Sequence, residues 1–276
     1  HILTQQQKNF WIDQFEELAE AGNTVVKDGE LSNSSIYQEY PATPEEAFKA
    51  IRDGAYYADA YQKHVLENNR KITDLWDPNL EVEVHVDLGM DDFFVLVFTQ
   101  IWEGNYRIIH EYVNNGFGIK HYVDYMKAQT ESGETIEGHP CENYTISAVY
   151  LPWDAEVRDL TTGLSRKDRF FELGVRSLVI LPKLPINTGI ELVRKLIPLM
   201  WIDESCTYIN NCMLNYSKEW DEKMQKWKDK PLHNEFSHGA DVIRGLAVSR
   251  NSGKQTIHSK SMRKKRNSFV VDGMAL

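Results

Sequence analysis

The chain has 276 residues, a formal net charge of -10 and 42% hydrophobic residues, including 11 Phe and 7 Trp. This composition predicts a packed core and excludes a disordered chain. No apolar run approaches the roughly 18 residues of a membrane span, so we expect no membrane partner. The acidic balance argues against a protein that only coats phosphates, although an acidic cluster attracts nucleic acid once it holds divalent cations.

The first residue and the cysteines indicate the cellular compartment of the protein. The chain begins at His1 with no charged and then apolar leader, which predicts a fragment of a longer protein and no signal peptide. Cys141, Cys206 and Cys212 form neither an even set nor a CxxC pair. We therefore expect free thiols in a reducing compartment and no structural zinc.

The first 80 residues predict a helical lead-in. Residues 3–22 have helical apolar spacing, Thr43 and Pro44 are typical of a helix start, and a third helix is expected within residues 58–72. At the other end, residues 254–266 hold six Lys or Arg and no acid. We interpret residues 251–276 as a basic tail, which is either solvated or an interaction segment.

Between these ends the pattern predicts an α/β domain over residues 81–250. Three strands at residues 81–88, 93–102 and 106–112 are joined by short turns, which predicts an antiparallel meander. Four elements follow: a helix at 118–130, a strand at 144–151, a second helix and a strand at 176–182. A capping box of Ser165 and Asp168 marks the start of the second helix. Helices are expected at 186–198, 203–222 and 236–249. This order, with about five main strands flanked by helices, predicts an RNase H-like mixed sheet.

Three carboxylates are brought together by that order. Asp87 ends the first strand, Asp154 follows the fourth strand, and Asp241 lies on the last helix with His238 three residues before it. Carboxylates at one sheet edge repel unless a cation lies between them. Oxygen ligands suit Mg²⁺ or Mn²⁺, and two such ions about 3.5–4 Å apart support phosphodiester hydrolysis. Asp87, Asp154 and Asp241 are therefore the predicted metal ligands and catalytic residues.

Each residue also has a simpler interpretation. An Asp at a strand end is often a turn-former, and Asp91 and Asp92 are the expected residues of a hairpin turn. Asp241 alone is typical of a solvated helix acid, and His238 is a metal ligand, a phosphate contact or only a helix-start residue. Three basic residues are either DNA-backbone contacts or a solvated helix face: Arg166, Lys167 and Arg169.

Four segments resemble the C-terminal nuclease region of tailed-phage terminase large subunits. They are "YQEYPATPEEAF", similar to the end of that family's ATPase region, "VDLGMDD" at the first acid, "YLPWDAEVRDLTTGLSRKDRFFELG" at the second, and "NYSKEWDEKMQKWKDKPLHNEFSHGADVIRGLA" at the third. The resemblance covers roughly residues 1–250 and is most specific in the last segment. Trp153 stands where many relatives have His, Asn234 where Asp is common, and "DVIRGLA" where "DAFRYLA" is usual. These departures leave a fourth ligand or general base unassigned.

The resemblance implies a metal-dependent endonuclease that cuts concatemeric viral DNA during genome packaging. It implies that Asp87, Asp154 and Asp241 hold Mg²⁺ or Mn²⁺, with Asp91 or Asp92 as an auxiliary acid, of which Asp91 is the better candidate. It also implies double-stranded DNA, an upstream ATPase domain, the portal and the small terminase subunit as partners. The implied location is the cytoplasm of the infected bacterial host, outside the mature virion.

Other functions stay open at this point. A phosphate loop GxxxxGK[ST] is missing, because its nearest match has Val248 for the first Gly and Gln255 after the lysine, so we expect no nucleotide in this fragment. "VDLG" also resembles the first phosphate loop of actin-like ATPases, but we find no second loop. A junction resolvase of the same fold and a non-catalytic docking module of the packaging motor are the remaining alternatives.

Overall fold

The computed structural model describes residues 25–27, 30–32, 54–89, 93–136, 139–221, 223–224 and 226–251. The strands are β1 (Val25–Lys27), β2 (Glu30–Ser32), β3 (Lys71–Ile72), β4 (Val82–Asp87), β5 (Phe94–Trp102), β6 (Asn105–Asn114), β7 (Ser132–Ile136), β8 (His139–Glu142), β9 (Ile146–Leu151), β10 (Leu178–Ile180), β11 (Met200–Asp203), β12 (Lys218–Asp221) and β13 (Lys226–Pro231). The α-helices are α1 (Ala58–Tyr61), α2 (Ile119–Ala128), α3 (Arg166–Glu172), α4 (Ile186–Leu196), α5 (Thr207–Asn215) and α6 (Glu235–Asn251).

A seven-stranded mixed sheet organises the described residues, in the order β10-β9-β4-β5-β6-β11-β3. The first three long strands, β4, β5 and β6, form the predicted antiparallel meander. Strand β9 then pairs parallel to β4, and β10 pairs parallel to β9. The predicted mixed α/β sheet is confirmed, and its carboxyl edge at β4 and β9 is the edge that the two strand-end acids were expected to share.

Both faces of the sheet are covered, which explains why the first five residues of β5, Phe94 to Phe98, are all apolar and buried. Alternate residues of β5 point into two different cores: Val95 and Val97 into one, Phe94 and Leu96 into the other. The first core also holds the apolar side of α6, and the second holds residues of α2 and α3. Helix α6 thus lies on one face of the sheet, over β4 and β5.

The chain before residue 81 contributes to this sheet and its core. Helix α1 continues as a π-helical segment at Gln62–Leu66, and Tyr57 and Tyr61 of this region are fully buried in the core beneath α6. Strand β3 pairs parallel to β11, which gives the sheet two strands beyond the five that the sequence predicted. The helices predicted at residues 3–22 and from Thr43 lie outside the described residues.

The predicted helix at residues 203–222 is wrong at both ends. Residues Met200–Asp203 form β11 against β6, and only Thr207–Asn215 is helical. Beyond it, β12 pairs antiparallel to β13 with Trp220 and Trp227 packed edge to face, their ring centroids 4.9 Å apart. This cross-strand aromatic contact stabilises the hairpin and outweighs the helical spacing of the apolar residues on which the prediction rested. Strands β7 and β8 form a further hairpin that the sequence did not predict.

The capping box at Ser165 is confirmed, because the Ser165 hydroxyl accepts from the backbone N–H of Asp168 while the Asp168 carboxylate accepts from that of Ser165. Within the described part of the chain, none of the helices combines the length and the apolarity that crossing a bilayer requires.

Candidate metal centre

Asp87 lies at the carboxyl end of β4, on the strand face that α6 covers. The pleat of β4 sends Val82, Val84 and Val86 into the core on the opposite side. Glu83, His85 and Asp87 therefore share the other face, where Glu83 and His85 are only 6% and 1% exposed. A polar stripe thus runs along a strand that is otherwise hydrophobic, and it ends at Asp87.

Helix α6 brings His238 and Asp241 to the end of this stripe. His238 Nδ1 lies 3.1 Å from Asp87 Oδ2, within hydrogen-bonding distance. Asp241 follows three residues later, on the same side of the helix. Burial, with a smaller contribution from the negative charge of Asp87, raises the pKa of the Asp241 carboxyl to about 6 against the opposing effects of Arg244 and His238. Asp87 and Asp241 are therefore close enough to repel one another.

Asp154 lies beyond the end of the neighbouring strand β9, in a 3-10 helix at Trp153–Glu156. Because β4 and β9 are parallel, Asp87 and Asp154 come to the same edge of the sheet. The Asp154 carboxylate accepts a hydrogen bond from Arg166 Nη1 at 3.1 Å. Beside it, the ammonium of Lys183 lies over the exposed ring of Trp153, 4.0 Å from the ring centroid.

The structure brings the predicted acids together only in part. Among the residues it describes, no three His, Cys, Asp or Glu side chains are placed to hold one metal ion. Asp87 and Asp241 face each other, and Asp154 stands at the same edge with its own cationic partner. Asp91, the predicted auxiliary acid, and its neighbour Asp92 lie outside the described residues.

The donor chemistry of this edge fits a hard divalent cation. The negative charge of Asp87 raises the pKa of the Asp241 carboxyl, so the two acids repel one another, and a bound divalent ion removes that repulsion. Carboxylate oxygens are the preferred ligands of Mg²⁺ and Mn²⁺. Asp87 and Asp241 would hold an ion here, His238 would orient Asp87 through its hydrogen bond, and Asp154 would join the two acids if its side chain left Arg166.

The predicted DNA-contacting cations of α3 are each paired with an acid. Arg166 contacts Asp154, Lys167 Nζ lies 2.7 Å from Glu156 Oε1, and Arg169 Nη1 lies 3.0 Å from Glu172 Oε2. The first two partners belong to the 3-10 helix that carries Asp154. The first two pairs therefore join α3 to the segment that carries Asp154, and the role of the three cations as phosphate contacts stays a prediction.

Sequence reasoning missed the polar residues behind the acids. Glu83 forms a buried ion pair with Arg250, from the last turn of α6, and accepts a hydrogen bond from the Tyr150 hydroxyl at 3.3 Å. The His85 ring stacks on that of Tyr150 with centroids 4.6 Å apart, and burial lowers the pKa of His85 to about 3. The signal was present in the sequence as Glu83, His85 and Asp87 at alternate positions of a strand.

Comparison with known proteins was made at the levels of sequence and structure. No protein-family model and no curated protein matches the sequence. Among solved structures, the P22 large terminase nuclease domain matches with a TM-score of 0.52 over 73% of this chain and 94% of that one, at 10% identity. The chain has the fold of a large terminase nuclease domain. The large terminase of a thermophilic bacteriophage matches with a TM-score of 0.50 at 19% identity, over 71% of this chain.

The coverage of the two neighbours differs. The match takes in nearly the whole P22 nuclease domain but only 45% of the large terminase chain from the thermophilic bacteriophage. This chain therefore spans less than half of a complete large terminase of that kind. At these identities the similarity establishes the terminase nuclease fold, and the activity has to be argued from the residues of the site.

Proposed function

We propose that this chain is the nuclease domain of a phage large terminase and hydrolyses phosphodiester bonds of double-stranded DNA with the help of divalent cations. The observation that carries the proposal is the meeting of Asp87, His238 and Asp241 at the carboxyl edge of a terminase nuclease fold. Two acidic side chains from residues far apart in the sequence converge there, partly shielded from water, where folding alone gains nothing from their repulsion.

Divalent ions supply, when bound, charge stabilisation at the phosphodiester and a water of lowered pKa as nucleophile. The chain's own residues would hold these ions and orient the carboxylates that bind them. Asp87 is fixed by the sheet, Asp241 by α6, and the imidazole N–H of His238 donates to Asp87 Oδ2, which sets the orientation of that carboxylate. Asp154 approaches from β9, and Arg166 competes for it in the absence of cations.

The broader setting follows from the same proposal. As a terminase nuclease domain, the chain would cut concatemeric DNA in the cytoplasm of an infected bacterium. It would be joined to an upstream ATPase domain and would act with the portal and the small terminase subunit. Sequence-independent cutting is expected, because backbone contacts position DNA without reading bases.

The test replaces each acid by its neutral isostere and measures cleavage of supercoiled plasmid with Mg²⁺ or Mn²⁺. We expect Asp87→Asn, Asp154→Asn and Asp241→Asn each to lower the cleavage rate by about 100-fold or more, because each removes a ligand charge. Asp124→Asn is the matched control: Asp124 is an exposed acid on α2 paired with Lys120, and its loss should leave cleavage unchanged.

The cleavage rates of the three variants show which acids belong to the metal site. If all three variants cut like the wild type, the site is wrong. If only Asp154→Asn is without effect, the site consists of the Asp87 and Asp241 carboxylates, and Arg166 keeps Asp154 out of it.

A non-catalytic docking module is the second candidate. It is favoured by the fact that the described residues do not gather three ligands around one point. In that case the acids serve only the fold, and the wild-type protein cuts neither plasmid nor linear DNA with any divalent ion. Cleavage by the wild type under any of these conditions rejects this candidate.

A further inference from the structure

Arg244 lies one turn after Asp241 on α6 and contacts it directly. Its Nη1 is 2.7 Å from Asp241 Oδ1. The two side chains are 24% and 35% exposed, whereas the pair with the same spacing on α4, Arg194 and Glu191, is 42% and 59% exposed. A pair at this spacing on a helix surface is usually a minor contribution to helix stability. The pair of Arg244 and Asp241 differs from such a surface pair because it is partly buried and because Arg244 packs against α4.

Gly189 of α4 provides the space that Arg244 occupies. A Cβ added to Gly189 would come within 2.6 Å of Arg244 Cγ, closer than packed side chains approach. Gly189 lies inside α4, where glycine costs about 1 kcal/mol relative to alanine. The guanidinium also lies beside Tyr216, a buried residue that follows α5. Arg244 is thus held between α4 and Tyr216 while its end group contacts Asp241.

We propose that Arg244 is a positioning residue that holds Oδ1 of Asp241 from the α4 side, so that the second oxygen of this carboxylate is presented to a divalent cation at Asp87. This inference rests on the proposed function, because it assumes that Asp241 is a metal ligand. Gly189 acts through Arg244, because the missing Cβ gives the arginine stem room to lie against the α4 backbone. Hydrogen-bonded partners of ligating carboxylates typically set metal affinity by 10–100-fold.

Two variants distinguish the effect of the position of the Arg244 guanidinium from the effect of its charge. Arg244→Met removes the guanidinium, and Gly189→Ala displaces it while leaving every charge in place. If Arg244 positions Asp241, both variants bind Mn²⁺ about 10–100-fold more weakly than the wild type, as measured by isothermal titration calorimetry. The double variant should be no weaker than Arg244→Met alone, since Gly189 has no effect without its partner.

Matched controls exist for both changes. Arg194→Gln removes the corresponding arginine of the more exposed pair, and Gly245→Ala adds a methyl group to a glycine of α6 that lies against the flexible end of Leu181. Both should leave Mn²⁺ affinity unchanged. Arg244→Lys keeps the charge and part of the contact, and should restore part of the affinity that Arg244→Met loses. It also provides the comparison if Arg244→Met does not fold.

Failure of this inference is distinguishable from failure of the proposed function. If the wild type binds no Mn²⁺, both are overturned, because Asp241 is then no ligand. If the wild type binds Mn²⁺ and Arg244→Met binds it equally or more tightly, Arg244 is only an opposing charge, and the inference fails while the metal centre stands. If the losses of Gly189→Ala and Arg244→Met add in the double variant, Gly189 acts by another route and its part in the inference is rejected.

Discussion

Glu111 is a partly buried carboxylate that contacts the first turn of helix α5 and lies outside the candidate metal centre. It projects from β6 and accepts hydrogen bonds from the backbone N–H groups of Tyr208 and Ile209 at 2.7 and 2.8 Å, in the first turn of α5. Burial raises the pKa of Glu111 to about 6, and it outweighs these hydrogen bonds and the nearby charge of Lys71. Cys206 also faces this carboxyl, and burial holds the pKa of its thiol well above the usual range.

We expect Glu111 to make stability depend on pH between about 4.5 and 6. Its folded-state pKa lies above the ordinary value of 4.5, so the folded protein binds more protons than the unfolded chain in this window. The contribution of Glu111 to the free energy of unfolding is therefore largest below pH 4.5 and falls, by at most about 2 kcal/mol, as the pH rises through 6. Urea unfolding of the wild type and of Glu111→Gln across pH 4–7 measures it.

The Gln variant removes this titration and keeps a neutral acceptor for the helix start. The wild-type free energy of unfolding minus that of the variant should therefore decline across the window. A difference that stays constant from pH 4 to 7 would show that the Glu111 pKa is the same in the folded and unfolded states.

Helix α6 is the element that assembles the site, because it spans the polar stripe of β4 from end to end. His238 meets Asp87 at one end, and Arg250 meets Glu83 at the other. The helix advances about 18 Å between its two residues and the strand about 13 Å between its own, and the long Arg250 side chain covers the remainder. The buried Glu83–Arg250 pair therefore sets where α6 lies along β4, and with it the position of Asp241.

Removal of the Arg250 charge should destabilise the protein strongly. Arg250→Met leaves Glu83 buried without its cation, and we expect the free energy of unfolding to fall by about 3–5 kcal/mol. The double variant Glu83→Leu with Arg250→Met should recover most of this loss, because two apolar side chains replace a desolvated ion pair. Urea unfolding at pH 7 measures both.

The exposed pair on α2 is the control for this comparison. Lys120→Met removes the cation that pairs with Asp124 and should change the free energy of unfolding by less than about 1 kcal/mol. If the double variant is as unstable as Arg250→Met alone, the loss comes from the packing of the arginine stem and the unpaired charge is not its cause.

At the scale of the whole molecule, residues 54–76 belong to the same packed body as the sheet. Tyr57 stacks on Tyr216, with ring centroids 5.5 Å apart, and Tyr61 donates a hydrogen bond to Asn210 Oδ1 at 3.1 Å. Strand β3 adds the last strand of the sheet, next to β11. The sequence predicted a boundary at residue 80/81 because no strong strand signal precedes it, yet these buried tyrosines lie before that boundary.

Truncation at the two possible boundaries tests where the domain begins. A chain that starts at residue 54 keeps Tyr57, Tyr61 and β3, and we expect it to unfold cooperatively. A chain that starts at residue 81 loses them all. Each large buried side chain is worth about 3–5 kcal/mol, and a domain has only about 5–15 kcal/mol in total, so this shorter chain should not fold. Thermal unfolding followed by circular dichroism distinguishes the two.

A cooperative transition at an unchanged midpoint for the chain from residue 81 would contradict this expectation and support the boundary that the sequence predicted. Tyr57→Ala in the full chain provides an independent check, since it removes one of the same buried side chains without changing the chain length.

The sequence by itself determined the central sheet of this protein. The meander of β4, β5 and β6 and the capping box at Ser165 depend on side-chain alternation and turn chemistry, which are local and therefore legible in the chain. Asp87 was singled out for the same reason, since a carboxylate at the end of an apolar strand is locally out of place, whereas Asp154 and Asp241 were selected by their position in the predicted order of elements and by the family resemblance.

Only the tertiary structure decided what surrounds those acids. The Glu83–Arg250 pair and the space that Gly189 leaves for Arg244 each join residues that are distant in the sequence. Their spacing along the chain contains no periodic signal, because the contacts form only when α4, α6 and β4 pack together. The acids could thus be named from the sequence, but the side chains that hold them could be found only in the folded protein.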